Sequence, residues 1–165
     1  MRGVCIGIVV TGLLASSAWA QQGPPPSPKL FTSSADLTAM IARARAERKA
    51  DQANFAQPIL QLAPYGANLE YRVAGINATA SVHEREAEMF YVVEGSGTVV
   101  TGGKLRDERR TNADNLSGTA IDGGTPRKVA KGDFIMVPEG VPHWFGEIGG
   151  ALVLMSIHLP HAPAR

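Results

Sequence analysis

At 165 residues, with 16 Lys+Arg against 15 Asp+Glu, the chain has room for one domain with a real core and little more. Its formal net charge of +1 argues against nucleic acid or an anionic membrane held by bulk electrostatics, and against an acidic solvating tail.

Residues 1–20 read as a secretory signal. Arg2 forms the positive start, Val4 to Leu14 is a short apolar run, and Ala18-Trp19-Ala20 supplies a small-x-small cleavage pattern. The run is too short to span a bilayer comfortably, so no stable membrane insertion is expected after cleavage. Cys5, the one cysteine, lies inside this segment, which leaves the exported product without a thiol or a disulfide. Export to a periplasm or to the outside follows equally well from such a signal.

Residues 21–32 form a polar, Pro-rich leader that reads as an extended tether. From Ser33 the pattern becomes helical. Ser33-Ser34-Ala35-Asp36 resembles a capping box, and Leu37, Met40, Ile41 and Ala44 follow at helical spacing, which predicts one amphipathic helix over about 34–50. Arg43, Arg45, Arg48 and Lys49 belong to its solvated face. The helix and its linker occupy residues 33–56.

Beyond residue 57 short β-rich segments take over: Ile59 to Leu62, Leu69 to Ala74, Ala80 to His83, Met89 to Val93 and Gly97 to Thr101. Lys128 to Val129, Phe134 to Val137, His143 to Glu147 and Ala151 to His158 follow. Many short strands with Gly and Pro punctuation predict an all-β sandwich or barrel over residues 57–160, with 161–165 as a tail. The polar stretch 102–124 exceeds a tight hairpin, and reads either as a functional loop over a site or as a passive surface excursion.

Two spaced motifs carry the chemistry. In the first, Gly75 is followed after five residues by Ser81-Val82-His83, after four more by Glu88 and after six more by Gly95. Strand alternation turns Ser81 and His83 to one face, while Glu88 arrives from the strand beyond a turn, with Phe90 and Val92 on its inner side. In the second, Gly132 is followed after five residues by Pro138-Glu139-Gly140 and after two more by His143. Pro138 and Gly140 make a bend that returns His143 beside the first motif.

These segments resemble the paired signatures of the cupin superfamily, G-x5-H-x-H-x4-E-x6-G and G-x5-P-x-G-x2-H-x3-N, over roughly residues 57 to 158. The resemblance implies an all-β jelly-roll barrel of two sheets with one N-terminal helix, often dimeric, with a metal between the sheets. Two positions depart from the pattern. Ser81 stands where the family places its first metal-binding histidine, and Glu147 where it places an asparagine.

The implied metal ligands are therefore His83, Glu88 and His143, with Ser81, Phe90 and Phe145 as contacts to those ligands or to a substrate. Such a set holds a divalent ion, which could be iron, manganese, zinc, nickel or copper, and leaves positions open for a small organic molecule. Metal-dependent oxygenation is the first reaction class to consider. The alternative is a non-catalytic binding module that has lost its metal, with both histidines lining the barrel and Glu88 free to act as a base.

Tyr71 and Met136 are weaker candidates for the pocket wall. Trp144 should face away from the site. His158 shares a face with Ser156 but reads as a surface histidine near the chain end, and Glu84, Arg85 and Glu86 read as a solvent-facing turn.

Overall fold

The computed structural model describes residues 27–76 and 78–161; the signal, the start of the leader and most of the tail lie outside the described residues. The helix α1 spans Ser34–Glu47, and its start is the capping box read from the sequence, with both the Ser33 and Asp36 halves formed. It stops one turn earlier than predicted, because the apolar stripe ends at Ala44 and Arg48 leaves the helix at ψ 129°. The Arg48 guanidinium then ties down the Lys49 and Gln52 carbonyls of the following turn. The leader is less free than expected at its end, where Lys29 and Gln61 exchange backbone hydrogen bonds and Thr32 donates to the Ile59 carbonyl.

Antiparallel strands make up the rest. β1 (Asn54–Leu62), β2 (Tyr65–Val73), β12 (Ala151–Pro160), β4 (Glu86–Thr101) and β10 (Phe134–Val137) lie side by side as the first sheet. The second sheet holds β9 (Thr125–Ala130), the far half of β4, β11 (His143–Gly146), β3 (Ala80–His83), β7 (Asn115–Gly118) and β6 (Arg109–Arg110). β5 (Lys104–Arg106) and β8 (Ala120–Asp122) form a small ribbon beside it.

Met89–Val93 and Gly97–Thr101, read as two strands, are one. β4 crosses from the first sheet to the second at Gly95, where its pairing passes from β12 and β10 to β9 and β11. Gly95 has φ +83°, and a Cβ there would sit 1.9 Å from the Ala151 carbonyl oxygen. Glycine meets both demands, the left-handed backbone and the close approach of β12.

Two apolar layers result. Phe90, Val92, Val99, Ile135, Val137, Phe145, Leu152 and Leu154 fill the barrel. Outside the first sheet, Ile41 and Ala44 of α1 pack on Ile59, Leu69, Tyr71 and Val153. Tyr71 thus faces the helix, and Met136 points outward with Phe134, half exposed; neither lines the interior. Both lie on the opposite pleat from the barrel-facing residues of their strands.

Segment 102–124 is not one loop, since it contains β5, β6, β7 and β8. Arg110 pins it to the residue after β3 through both oxygens of Glu84, and braces the segment internally by donating to the Ala113 carbonyl.

Candidate metal centre

Alternation along β4 turns Glu88, Phe90 and Val92 into the barrel, and all three are buried. β11 brings His143 to the same place. Its turn is locked from below, because Gly140 at φ +68° donates its N–H to the His83 carbonyl at 2.8 Å. Ser81 pairs directly with His143 across the β3–β11 ladder, on the face it shares with His83. Trp144 turns away, as expected, and donates its indole N–H to the Ala78 carbonyl.

The imidazoles converge on one carboxylate. His83 Nε2 and His143 Nε2 each lie 3.2 Å from Glu88 Oε2, and His158 Nε2 lies 3.5 Å from Glu88 Oε1. His158 is therefore not the surface residue that its place near the chain end suggests. It stands opposite Glu88 in the β12–β4 register, its side chain 24% exposed, and its ring meets that of His83 edge-on at 5.2 Å.

The outer nitrogens are also held. Asn115 Oδ1 accepts from His83 Nδ1 at 2.7 Å, and Glu86 Oε1 accepts from His158 Nδ1 at 2.8 Å. The Nδ1 of His143 faces the Val141 carbonyl at 3.4 Å, a long contact. In the metal-free protein the Nε2 atoms of His83 and His143 hydrogen-bond to Glu88. A neutral ring with its proton held on Nδ1 would instead offer its Nε2 lone pair, the usual arrangement behind a metal-bound histidine.

Glu86 is likewise not a solvent-facing turn residue. It opens β4 two residues before Glu88, and alternation places both on one face once the strand is begun early enough. Asn115 comes from the 102–124 segment, which thus contributes to the cluster; nothing local marks that contact, since its partner lies 32 residues away. Glu84 and Arg85 are exposed, as read.

Phe90 packs on His143 with ring centroids 5.8 Å apart. Phe145 lies one layer deeper, touching Phe90 edge-on at 4.9 Å and carrying the Arg72 guanidinium 5.0 Å above its ring. Glu147, at the family's asparagine position, has φ +46° and accepts from Thr98 and Lys128, away from the cluster. A positive φ is what asparagine tolerates, so that position serves a turn.

Burial by itself would raise the Glu88 carboxyl, but hydrogen bonds from His143 and His83 overcome it and hold it at about 2. Burial would likewise lower His83, and its bonds to Glu88 and Asn115 raise it instead. A carboxylate held that low is a poor base near neutral pH.

In the metal-free protein the Glu88 contribution to stability is complete above the ordinary carboxyl value of 4.5 and fades as pH falls through about 2. That of His83 is complete below its ordinary 6.5 and fades as pH rises through its raised value. Urea midpoints of wild type and Glu88→Gln should therefore differ most between 4.5 and 6.5. A gap of constant size from about pH 3 to about pH 9 would contradict this coupling.

Glu86 and Asn115, which hold the outer nitrogens of His158 and His83, also wall a cavity of about 610 Å³ together with Pro64, Arg85, Asp114 and His161. A barrel of two antiparallel sheets with a histidine–carboxylate cluster at one mouth defines a jelly-roll protein with an interior polar site. A family model described as Cupin matches residues 46–162, and the chain belongs to that family.

Solved structures share the fold. DMSP lyase DddQ from Ruegeria pomeroyi DSS-3 is similar at TM-score 0.53 and 16% identity, over 84% of this chain and 70% of that one. The iron(II) form of HppE gives 0.52 and 15%, over 67% and 53%, so this chain spans about half its length. TT1209 from Thermus thermophilus gives 0.51 and 18%, over 72% and 93%. No curated protein matches the sequence.

Proposed function

We propose that this chain is an exported cupin that binds one divalent metal through His83, Glu88 and His143 and presents a small polar molecule to it, with metal-dependent oxygenation as the reaction class. The observation that carries the reading is the convergence of His83 Nε2 and His143 Nε2 on one oxygen of a buried carboxylate. Export rests on the sequence of residues 1–20 alone.

The donors suit iron, manganese, zinc, nickel or copper, since imidazole and carboxylate serve each of these ions. Once bound, the ion would supply Lewis acidity and, if it is iron, a place for dioxygen. The protein's own part is positional. Asn115 holds the His83 ring in the tautomer that presents Nε2. Phe90 closes the inner side of the cluster and keeps water out of the barrel below it. The neighbouring cavity shares Glu86 and Asn115 with the cluster's supports, and its Arg85, Asp114 and Asn115 favour a polar guest. An iron(II)-containing relative by fold, HppE, is consistent with this choice of chemistry.

Metal analysis of the mature protein, purified without a histidine tag, should find close to one equivalent. His83→Ala and His143→Ala should each lower it sharply. Metal-free protein in every preparation, including after incubation with iron(II) or zinc(II), would overturn the reading in favour of a non-catalytic binding module.

A further inference from the structure

Ser81 deprives the site of one imidazole, yet three imidazoles still surround Glu88. The third is His158, from the last strand. We propose that His158 is a metal ligand of this site, supplied by β12 in place of the imidazole that residue 81 does not provide; this rests on the metal-binding reading above.

Three observations support it. Donor atoms of His83, Glu88 and His158 all lie within 4.8 Å of one another, close enough to share one ion. Glu86 Oε1 engages His158 Nδ1 at 2.8 Å, which turns Nε2 toward Glu88. The histidine is also held by the fold. Its strand is paired on both sides, with His158 opposite Gly66 of β2 and Glu88 of β4, so its Cα is fixed beside Glu88 while the Glu86 hydrogen bond sets the ring.

The substitution moves a ligand from one sheet to the other. Ser81 lies in β3 of the second sheet, beside His143. His158 lies in β12 of the first, beside Glu88. His83 comes from the second sheet and Glu88 and His158 from the first, so an ion held by these three would join the two sheets, while His143 approaches Glu88 from the second sheet as well.

A histidine that merely pairs with Glu86 at the rim would behave differently on metal addition. The test uses cobalt(II) and zinc(II) with the untagged mature chain. His158→Ala and His158→Gln should each weaken cobalt(II) binding by at least about tenfold, on the scale of His83→Ala, and alter the visible cobalt spectrum. Glu86→Gln should weaken it less. Ser81→His placed in the His158→Ala background should restore affinity by returning an imidazole from the other sheet.

Long-range proton–nitrogen spectra of the wild type, which need no variant, should show zinc(II) shifting the His158 Nε2 resonance while Nδ1 keeps its proton. Unchanged cobalt(II) affinity in both His158 variants, with His83→Ala and His143→Ala still defective, would overturn the role of His158 and leave the three-ligand site standing. An unmoved His158 resonance in metal-loaded protein would do the same. Absence of metal binding by the wild type would remove both readings together.

Discussion

Replacing Glu88 with glutamine is expected to lower metal affinity by more than about 100-fold while leaving the barrel folded. Glutamine nearly matches glutamate in shape, so packing above Phe90 is kept and the change falls on charge. Both Glu88 oxygens are in use, Oε2 at 3.2 Å from His83 and His143 and Oε1 at 3.5 Å from His158. A neutral amide offers no anionic donor, and its NH2 would point at an imidazole that needs an acceptor. His83 should at the same time titrate lower, because its hydrogen bond to the Glu88 carboxylate helps to hold its proton. Equilibrium dialysis with zinc(II) and histidine titration by NMR read the two effects separately. A glutamine variant with wild-type affinity would show that the ion, if bound, sits elsewhere.

The second large effect lies far from the cluster. Gly95→Ala should destabilise the fold by roughly 3 kcal/mol or more, from the strained backbone together with forced repacking. The added Cβ would meet the Ala151 carbonyl oxygen at 1.9 Å, and that atom belongs to the β12 backbone, which is paired with β2 on its other side. Gly75 separates the two causes. It has a similar φ of +77° but nothing within 4 Å of the added Cβ, so Gly75→Ala should carry only the conformational cost, about 1–2 kcal/mol. Urea unfolding of both variants measures the difference; equal losses would mean that β12 yields to the methyl group.

Much of the site was legible because its rules are local. Alternation alone put His83 with Ser81, and Glu88 with Phe90 and Val92, and the structure keeps both groupings. The glycines of the two motifs marked bends correctly: Gly95 where β4 changes sheet, Gly140 where the chain returns toward His143. The capping box at Ser33 likewise uses residues three apart, and it formed as read.

The errors share one cause. His158 reads as a surface histidine near the chain end until β12 is laid against β4, and its hydrogen bond to Glu86 spans 72 positions. Asn115 reads as loop polarity until β7 pairs with β3. Met136 alternates as a wall residue would, but the phase of its strand relative to β4 turns it outward with Phe134.

From its own order of residues, this chain determined which side chains share a face within each strand, where the turns fall, and that a carboxylate and two imidazoles belong to one barrel. Only the tertiary structure decided which strands adjoin and in what register, and so that a third imidazole stands opposite Glu88 while Ser81 stands opposite His143. The period of two is a property of a single strand's covalent geometry, whereas register is chosen by packing and hydrogen bonding between segments far apart in the chain.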